Sequence, residues 1–521
     1  MRGIRIKGLL HLLFVLTSVA TAIPDGWAQI PGSGSRPVIP KTWDDAAMAT
    51  LEVPLANPVG SPKHVPAGYY YKIPVRPIYK SYPLYAPGHE PPGYMDWLNQ
   101  QEPVIVWDDA THRPTLRTEA DWIKAGEIVF DSPHLYSPIP PKAIYKAAGV
   151  PIAANGVVPF AAIVIRQKGK IEVGFAGCVD CHTRVMPDGS VLKGAQGNSP
   201  TDRGIAFAIR GGFATAEDKQ AFVESTRLGE RVPFEVPWLN PSDQPDYNHM
   251  SVDEIAATHA AIPGGVFARQ GTSVLYPPHI PDLIGVRDRH FLDATGLEQQ
   301  RGIVDLMRYA ALNQGGDLLA IYDGFIPAGG PAFKMLPGPD KLNPLFAVPD
   351  RYSDEELFAL ALYIYSLQPP ANPNKFDAAA AHGQKVFERE SCAMCHTPPL
   401  YTNNKLTVAE GFTPPSGATE NYDILPISVG TDPNLTLKTR RGTGYYKVPS
   451  LKGVWYRSMF GHSGWCTTLE DWFDPRRTHD DYVPTGFKPY GVKTYAVKGH
   501  PFGLDLSAED KKALIVFLKS L

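Results

Sequence analysis

The chain carries Cys-x-x-Cys-His twice, as Cys178-Val179-Asp180-Cys181-His182 and as Cys392-Ala393-Met394-Cys395-His396. That order of residue types suits covalent c-type haem: two thioethers from the cysteines and one axial imidazole from the histidine. Four of the five cysteines are used this way. Zinc ribbons place their second cysteine pair about 15–20 residues after the first and need no adjoining histidine; the pairs here lie far outside that spacing. Disulfides between the pairs would leave both histidines unexplained. Two haems, on His182 and His396, are the expectation.

The opposite face of each iron decides its chemistry. A strong sixth ligand suits electron transfer; an open position admits peroxide or dioxygen. After His396 the chain offers His462, in Phe460-Gly-His-Ser-Gly464, His479, and His500, in Gly499-His-Pro-Phe-Gly503. His500 stands shortly before the last helix, in a glycine-bounded loop that could cross a haem face. It is the expected distal ligand of the second haem.

The elements that would hold these residues recur. Ser353-Asp-Glu-Glu-Leu-Phe-Ala-Leu-Ala-Leu-Tyr-Ile-Tyr-Ser-Leu367 aligns with Ser507-Ala-Glu-Asp-Lys-Lys-Ala-Leu-Ile-Val-Phe-Leu-Lys-Ser-Leu521. Each has a serine cap, an acid three positions on, and apolar residues at helical spacing. Ile280-Pro-Asp-Leu-Ile-Gly-Val-Arg-Asp-Arg289 matches Val448-Pro-Ser-Leu-Lys-Gly-Val-Trp-Tyr-Arg457, and Ala125-Gly126 to Phe130 matches His382-Gly383 to Phe387. Counted through these repeats, His500 corresponds to Phe346 and His462 to Ala294. The first half has lost both histidines, so its iron is expected to be open. His249, His259, His279, His290, Met307 and Met335 are the remaining groups that could close it.

The fold expected is mainly α: two cytochrome c-like haem domains in tandem, over 116–368 and 369–521. The first would carry a small β-hairpin insert of Ile163-Val164-Ile165 and Ile171-Glu172-Val173 about Lys168-Gly169-Lys170. Residues 23–115 hold much of the chain's 52 prolines and read as a long irregular arm that still packs, since it is rich in tyrosine and tryptophan. Arg2, Arg5, Lys7 and the apolar run Leu9 to Ala20, ending in Ala20-Thr-Ala22, read as a secretory signal peptide over 1–22, with a second cut site after Ala28. That implies export, most simply to a bacterial periplasm, and no stable membrane span. A net charge of −3 with 20% charged residues gives no reason to expect nucleic acid.

With these residues in view, the chain resembles the bacterial di-haem cytochrome c peroxidases and the related di-haem enzyme that matures methylamine dehydrogenase. The likeness is carried by both haem motifs and by Val448-Pro-Ser-Leu-Lys-Gly-Val-Trp-Tyr-Arg-Ser-Met-Phe-Gly-His-Ser-Gly464, then Thr468-Leu-Glu-Asp. It covers most of 116–521. The peroxidases ligate the second iron with a methionine at a position that here falls on Arg476, which cannot ligate. The Gly-Val-Trp-Tyr-Arg and Gly-His-x-Phe-Gly wording looks more like the rubber oxygenases of the same superfamily, whose second haem is bis-histidine and whose first binds dioxygen. That likeness supports His500. Peroxidases of this kind also bind calcium between domains; no EF-hand loop appears here, and calcium stays undecided.

The leading expectation is therefore a peroxidase-like oxidoreductase. Peroxide would be activated at the His182 haem and electrons passed by the His396/His500 haem. The partner would be a small redox protein such as a cytochrome c or cupredoxin. Glu254, His249 and His259 are named as distal acid–base groups, and Trp455, Tyr456 and Trp465 as an electron relay or as core aromatics. A rubber oxygenase-like dioxygenase on an apolar substrate and a non-enzymatic di-haem electron carrier are the alternatives.

Overall fold

The computed structural model describes residues 37–51, 66–212, 249–268, 274–313, 350–439 and 442–521. The signal peptide over 1–22, Met335 and Phe346 lie outside these residues. The described chain is helix-rich, with four small sheets.

Two helix crossings dominate. In the first, Glu119–Asp131 packs on Asp354–Ser366; in the second, Ala378–Arg389 packs on Ala508–Lys519. Side-chain caps start all four helices. Thr118 and Ser353 make full capping boxes with Asp121 and Glu356, while Asp377 and Ser507 accept from the N–H groups of Ala380 and Asp510. Each crossing closes on a glycine. A Cβ on Gly126 would stand 2.0 Å from the Ala359 carbonyl oxygen, and one on Gly383 would stand 2.0 Å from that of Ala513. The neighbouring contacts are Tyr363 and Phe517. These positions match in both repeats that the sequence shows, so the recurrence has a packing cause: only glycine lets the two backbones touch. Gly383→Ala is expected to destabilise the haem-loaded protein by about 3 kcal/mol through overpacking, read as a fall in Tm; an unchanged Tm would contradict the close approach.

The hairpin forms, and it is longer than its apolar core. Strands Val157–Gln167 and Lys170–Phe175 pair antiparallel through Ile163 opposite Val173 and Val164 opposite Glu172. Gly169 supplies the positive φ of the turn, 75°. The sheet gains Leu135–Ser137 on one side and Ser81–Tyr85 on the other. That last strand corrects the expectation of an irregular arm. Its Pro83 is tolerated because the strand lies at the sheet edge, where a missing N–H breaks no ladder. The arm also inserts Trp43, Tyr70 and Trp107 into the core of the first helix crossing, all at most 1% exposed. Tyr70 stacks on Trp43 at 4.3 Å. Its prolines break helices without loosening the segment, because large aromatics bury enough surface to anchor it.

Among the described residues no helix is long and apolar enough to cross a membrane.

Candidate functional site

The two motifs open into two cavities. The larger, about 1590 Å³ and open on one side, is lined by Cys392, Cys395, His396, His462 and His500, with Leu514 and Leu518 of the last helix. The other, about 1130 Å³, is lined by Cys178, Cys181, His182, Glu298, Tyr309 and Ala310. The motif cysteines carry no disulfide.

Both motif histidines are held alike. His182 donates from Nδ1 to the Pro281 carbonyl at 3.0 Å, and His396 donates from Nδ1 to the carbonyls of Pro449 at 3.1 Å and Tyr401 at 3.2 Å. A carbonyl only accepts, so Nδ1 carries the proton and the lone pair stands on Nε2, the tautomer an axial ligand needs. Pro281 and Pro449 are the prolines of the repeated Ile280-Pro and Val448-Pro segments. The repeat is thus a pair of loops that orient the two proximal imidazoles.

His500 lies over His396, with ring centres 6.3 Å apart. A ligating imidazole nitrogen sits about 2 Å from a first-row metal and its ring centre roughly 1 Å further out, so two imidazoles sharing one metal from opposite sides have centres about 6 Å apart. The measured spacing fits one iron between them. Burial holds both histidines below the usual imidazole range, His500 to about 3, helped by the neighbouring His396 and Arg477. Burial thus favours the neutral form of both, the form that can ligate.

The other candidates separate by position. His462 lines the same cavity but stacks face to face on Tyr446, ring centres 4.1 Å apart, with Trp465 edge-on at 4.4 Å. His479 is exposed. Arg476 is also exposed and forks onto Asp474. In the first cavity, the position that matches His462 is Ala294, whose side chain cannot ligate.

Of the described groups named as able to close the first iron, His279 alone lines that cavity, and it lines the second cavity as well. Its Nδ1 donates to the Gly461 carbonyl at 2.8 Å and its main-chain N–H to the His462 carbonyl at 2.8 Å, tying the loop that holds His182 to the Phe460–Gly464 loop of the second half. His259 is buried against Asp202 at 2.9 Å, His290 pairs with Asp423 at the surface, His249 is exposed, and Met307 belongs to the helix core.

The distal acid–base guesses do not survive. Glu254 closes its own helix cap, accepting from Ser251 at an exposed position, and neither His249 nor His259 is among the residues described on the walls of these two cavities. The residue that sequence reading missed is Glu298, fully buried on the wall of the first cavity. The Asp293 carboxylate beside it is saturated by Thr295 and by the Glu298 main-chain N–H. Its signal was a charged residue among the buried Leu297, Gln300 and Leu306, a pattern without a motif. Trp455 and Tyr456 touch each other near the first half, with Tyr456 bonded to Asp282, while Cys466 is buried and pushed up to about 11. Desolvation makes that thiol inert.

No protein-family model matches the chain and no curated protein matches it. Solved structures do show loose likenesses. One is hydrazine synthase from Kuenenia stuttgartiensis, at 17% identity over 57% of this chain and 87% of that one, TM-score 0.27. A second is a MauG-like protein associated with microbial copper homeostasis, at 18% identity over 57% and 88%, TM-score 0.26. A third is a variant of the diheme peroxidase BthA from Burkholderia thailandensis, at 17% identity over 65% and 88%, TM-score 0.25. Overlaps this loose decide nothing about mechanism, which must come from the residues.

Proposed function

We propose that the chain is an exported di-haem c-type oxidoreductase of peroxidase-like chemistry, built from two cytochrome c-like halves. Cys178, Cys181 and His182 would hold one haem, and Cys392, Cys395, His396 and His500 the other. The observation that carries this reading is the 6.3 Å opposition of His396 and His500; in the sequence repeat the counterpart of His500 is Phe346, whose side chain cannot ligate iron. One site looks saturated and the other accessible. Bound there, c-type haem supplies iron that exchanges single electrons and, where an axial position is open, takes up peroxide or dioxygen.

The chain's own residues then have distinct tasks. The Pro281 and Pro449 carbonyls fix the proximal imidazoles. Glu298, buried on the wall of the first cavity, would take the proton from one peroxide oxygen and deliver it to the other, so that the O–O bond breaks with water as the leaving group and two electrons drawn from the bound haem. His279 and the loops it joins keep the two cavities in register. A small electron-donating protein would serve the His396/His500 site, and the amino-terminal sequence supports export to a periplasm.

The first cavity also gives a second reading some support: Leu283, Leu306, Ala310, Ile364 and Leu435 make much of its wall apolar, which suits dioxygen chemistry on an apolar organic molecule. Electron paramagnetic resonance of the oxidised protein tests the common core. One high-spin and one low-spin ferric signal are expected. Two low-spin signals would instead indicate an electron carrier. Peroxide consumption with a reduced cytochrome, against incorporation of labelled dioxygen, separates the two enzymatic readings.

A further inference from the structure

His500 sits in a backbone conformation that side-chain-bearing residues avoid, with φ of 44° directly after Gly499 at 78°. Something must hold it there. Its N–H donates to the Val429 carbonyl at 2.6 Å, and a Cβ on Gly499 would stand 2.2 Å from the Thr431 nitrogen. The strap therefore rests on 429–431 from one side. From the other side comes Arg477, 0% exposed.

The Arg477 guanidinium donates to four main-chain carbonyls: Trp472 at 2.7 Å, Val497 at 2.5 Å, Gly499 at 3.0 Å and His500 itself at 2.8 Å. Its own carbonyl accepts the Val497 N–H at 2.7 Å. The guanidinium also lies over the Trp472 ring at 4.6 Å, and Trp472 in turn packs on the His500 ring at 5.5 Å. A buried arginine usually faces a carboxylate; the described side-chain hydrogen bonds of this one all go to main-chain carbonyls. Three of its acceptors are on the strap.

We propose that Arg477 is the positioning residue of the second site: its fork holds 497–500 in the strained turn that keeps His500 over His396. Ligation there then depends on a side chain that never meets the metal. The inference rests on the haem reading above. Arginine is needed because a planar fork can serve several carbonyls at fixed angles, whereas an ammonium on a flexible stem cannot.

The test is Arg477→Lys in the haem-loaded protein, with haem counted after alkaline pyridine reduction and spin state read by electron paramagnetic resonance. Two haems per chain should remain, the low-spin ferric signal should be largely lost to high spin, and added imidazole should convert two sites per chain to low spin, the His182 site as in the unaltered protein and the position His500 has left. A low-spin signal equal to that of the unaltered protein would overturn the proposal, and so would a high-spin product that imidazole fails to convert. Should the lysine variant not accumulate, Arg477→Gln is read by the same criteria. If the unaltered protein shows no low-spin signal, the site reading and this inference fall together; if the unaltered protein shows it and the variant keeps it undiminished, the inference alone falls.

Discussion

Replacing Glu298 by glutamine is expected to lower kcat/KM for peroxide by about 10²–10⁴-fold, the usual range for loss of a positioned acid–base group. The expectation comes from elimination inside the first cavity. Among the described residues its titratable lining comprises His182, His279, Asp293, Glu298 and Tyr309, with the motif cysteines assigned to haem in the proposed reading. His182 is the proposed proximal ligand and His279 donates its Nδ1 proton to the Gly461 carbonyl. Asp293 spends its carboxylate on three donors of its own turn. Tyr309 would have to act as a phenolate, which is scarce near neutral pH. Glu298 is left, fully buried. Glutamine preserves its volume and an acceptor oxygen but cannot cycle a proton, so haem content, spin state and Tm should hold while turnover falls. Turnover within twofold of the unaltered protein would remove Glu298 from the mechanism. A protein whose peroxide turnover is negligible from the start, with or without Glu298, would favour dioxygen chemistry instead.

What was legible in the sequence follows the range of each interaction. Cys-x-x-Cys-His is local: the residues that must meet lie within five positions, so type and order declare the chemistry. The repeats were legible because each marks a contact with one acceptable residue, Gly126 and Gly383 under a facing helix backbone, and the prolines whose carbonyls receive Nδ1. His500 was legible by position relative to the last helix. Glu298 was not, since its role comes from being carried by a bend after Asp293 to a wall built from distant segments. Arg477 stood one residue from Arg476, the position that comparison with the peroxidases singled out, and drew no attention because carbonyl ligands leave no mark on composition. The arm misled for a related reason. Proline content correctly excludes long helices, but says nothing of edge strands, and Ser81–Tyr85 needed the hairpin across from it to become one.

Removing the distal imidazole itself, as His500→Ala, should convert the low-spin ferric signal to high spin and open a second position to small ligands. The low-spin signal should vanish rather than diminish, because the other histidines on that cavity wall are held elsewhere, His279 donating to the Gly461 carbonyl and His462 stacked on Tyr446. His462 is the nearest rival, yet its ring is clamped between Tyr446 and Trp465. Moving it to the iron would break a face-to-face stack at 4.1 Å and uncover the buried Tyr446. His462→Ala is accordingly expected to leave the low-spin signal in place, which makes it the control for cavity damage. Imidazole titration gives an independent count: the unaltered protein should take up ligand at the His182 site only, and His500→Ala at both sites. Haem content should not change, since attachment is through Cys392 and Cys395 and the Nδ1 contacts of His396 lie on the other face. If His500→Ala stays low-spin while His462→Ala does not, the ligand is His462, and the 6.3 Å opposition of the His396 and His500 rings is a packing contact and not the frame of an iron.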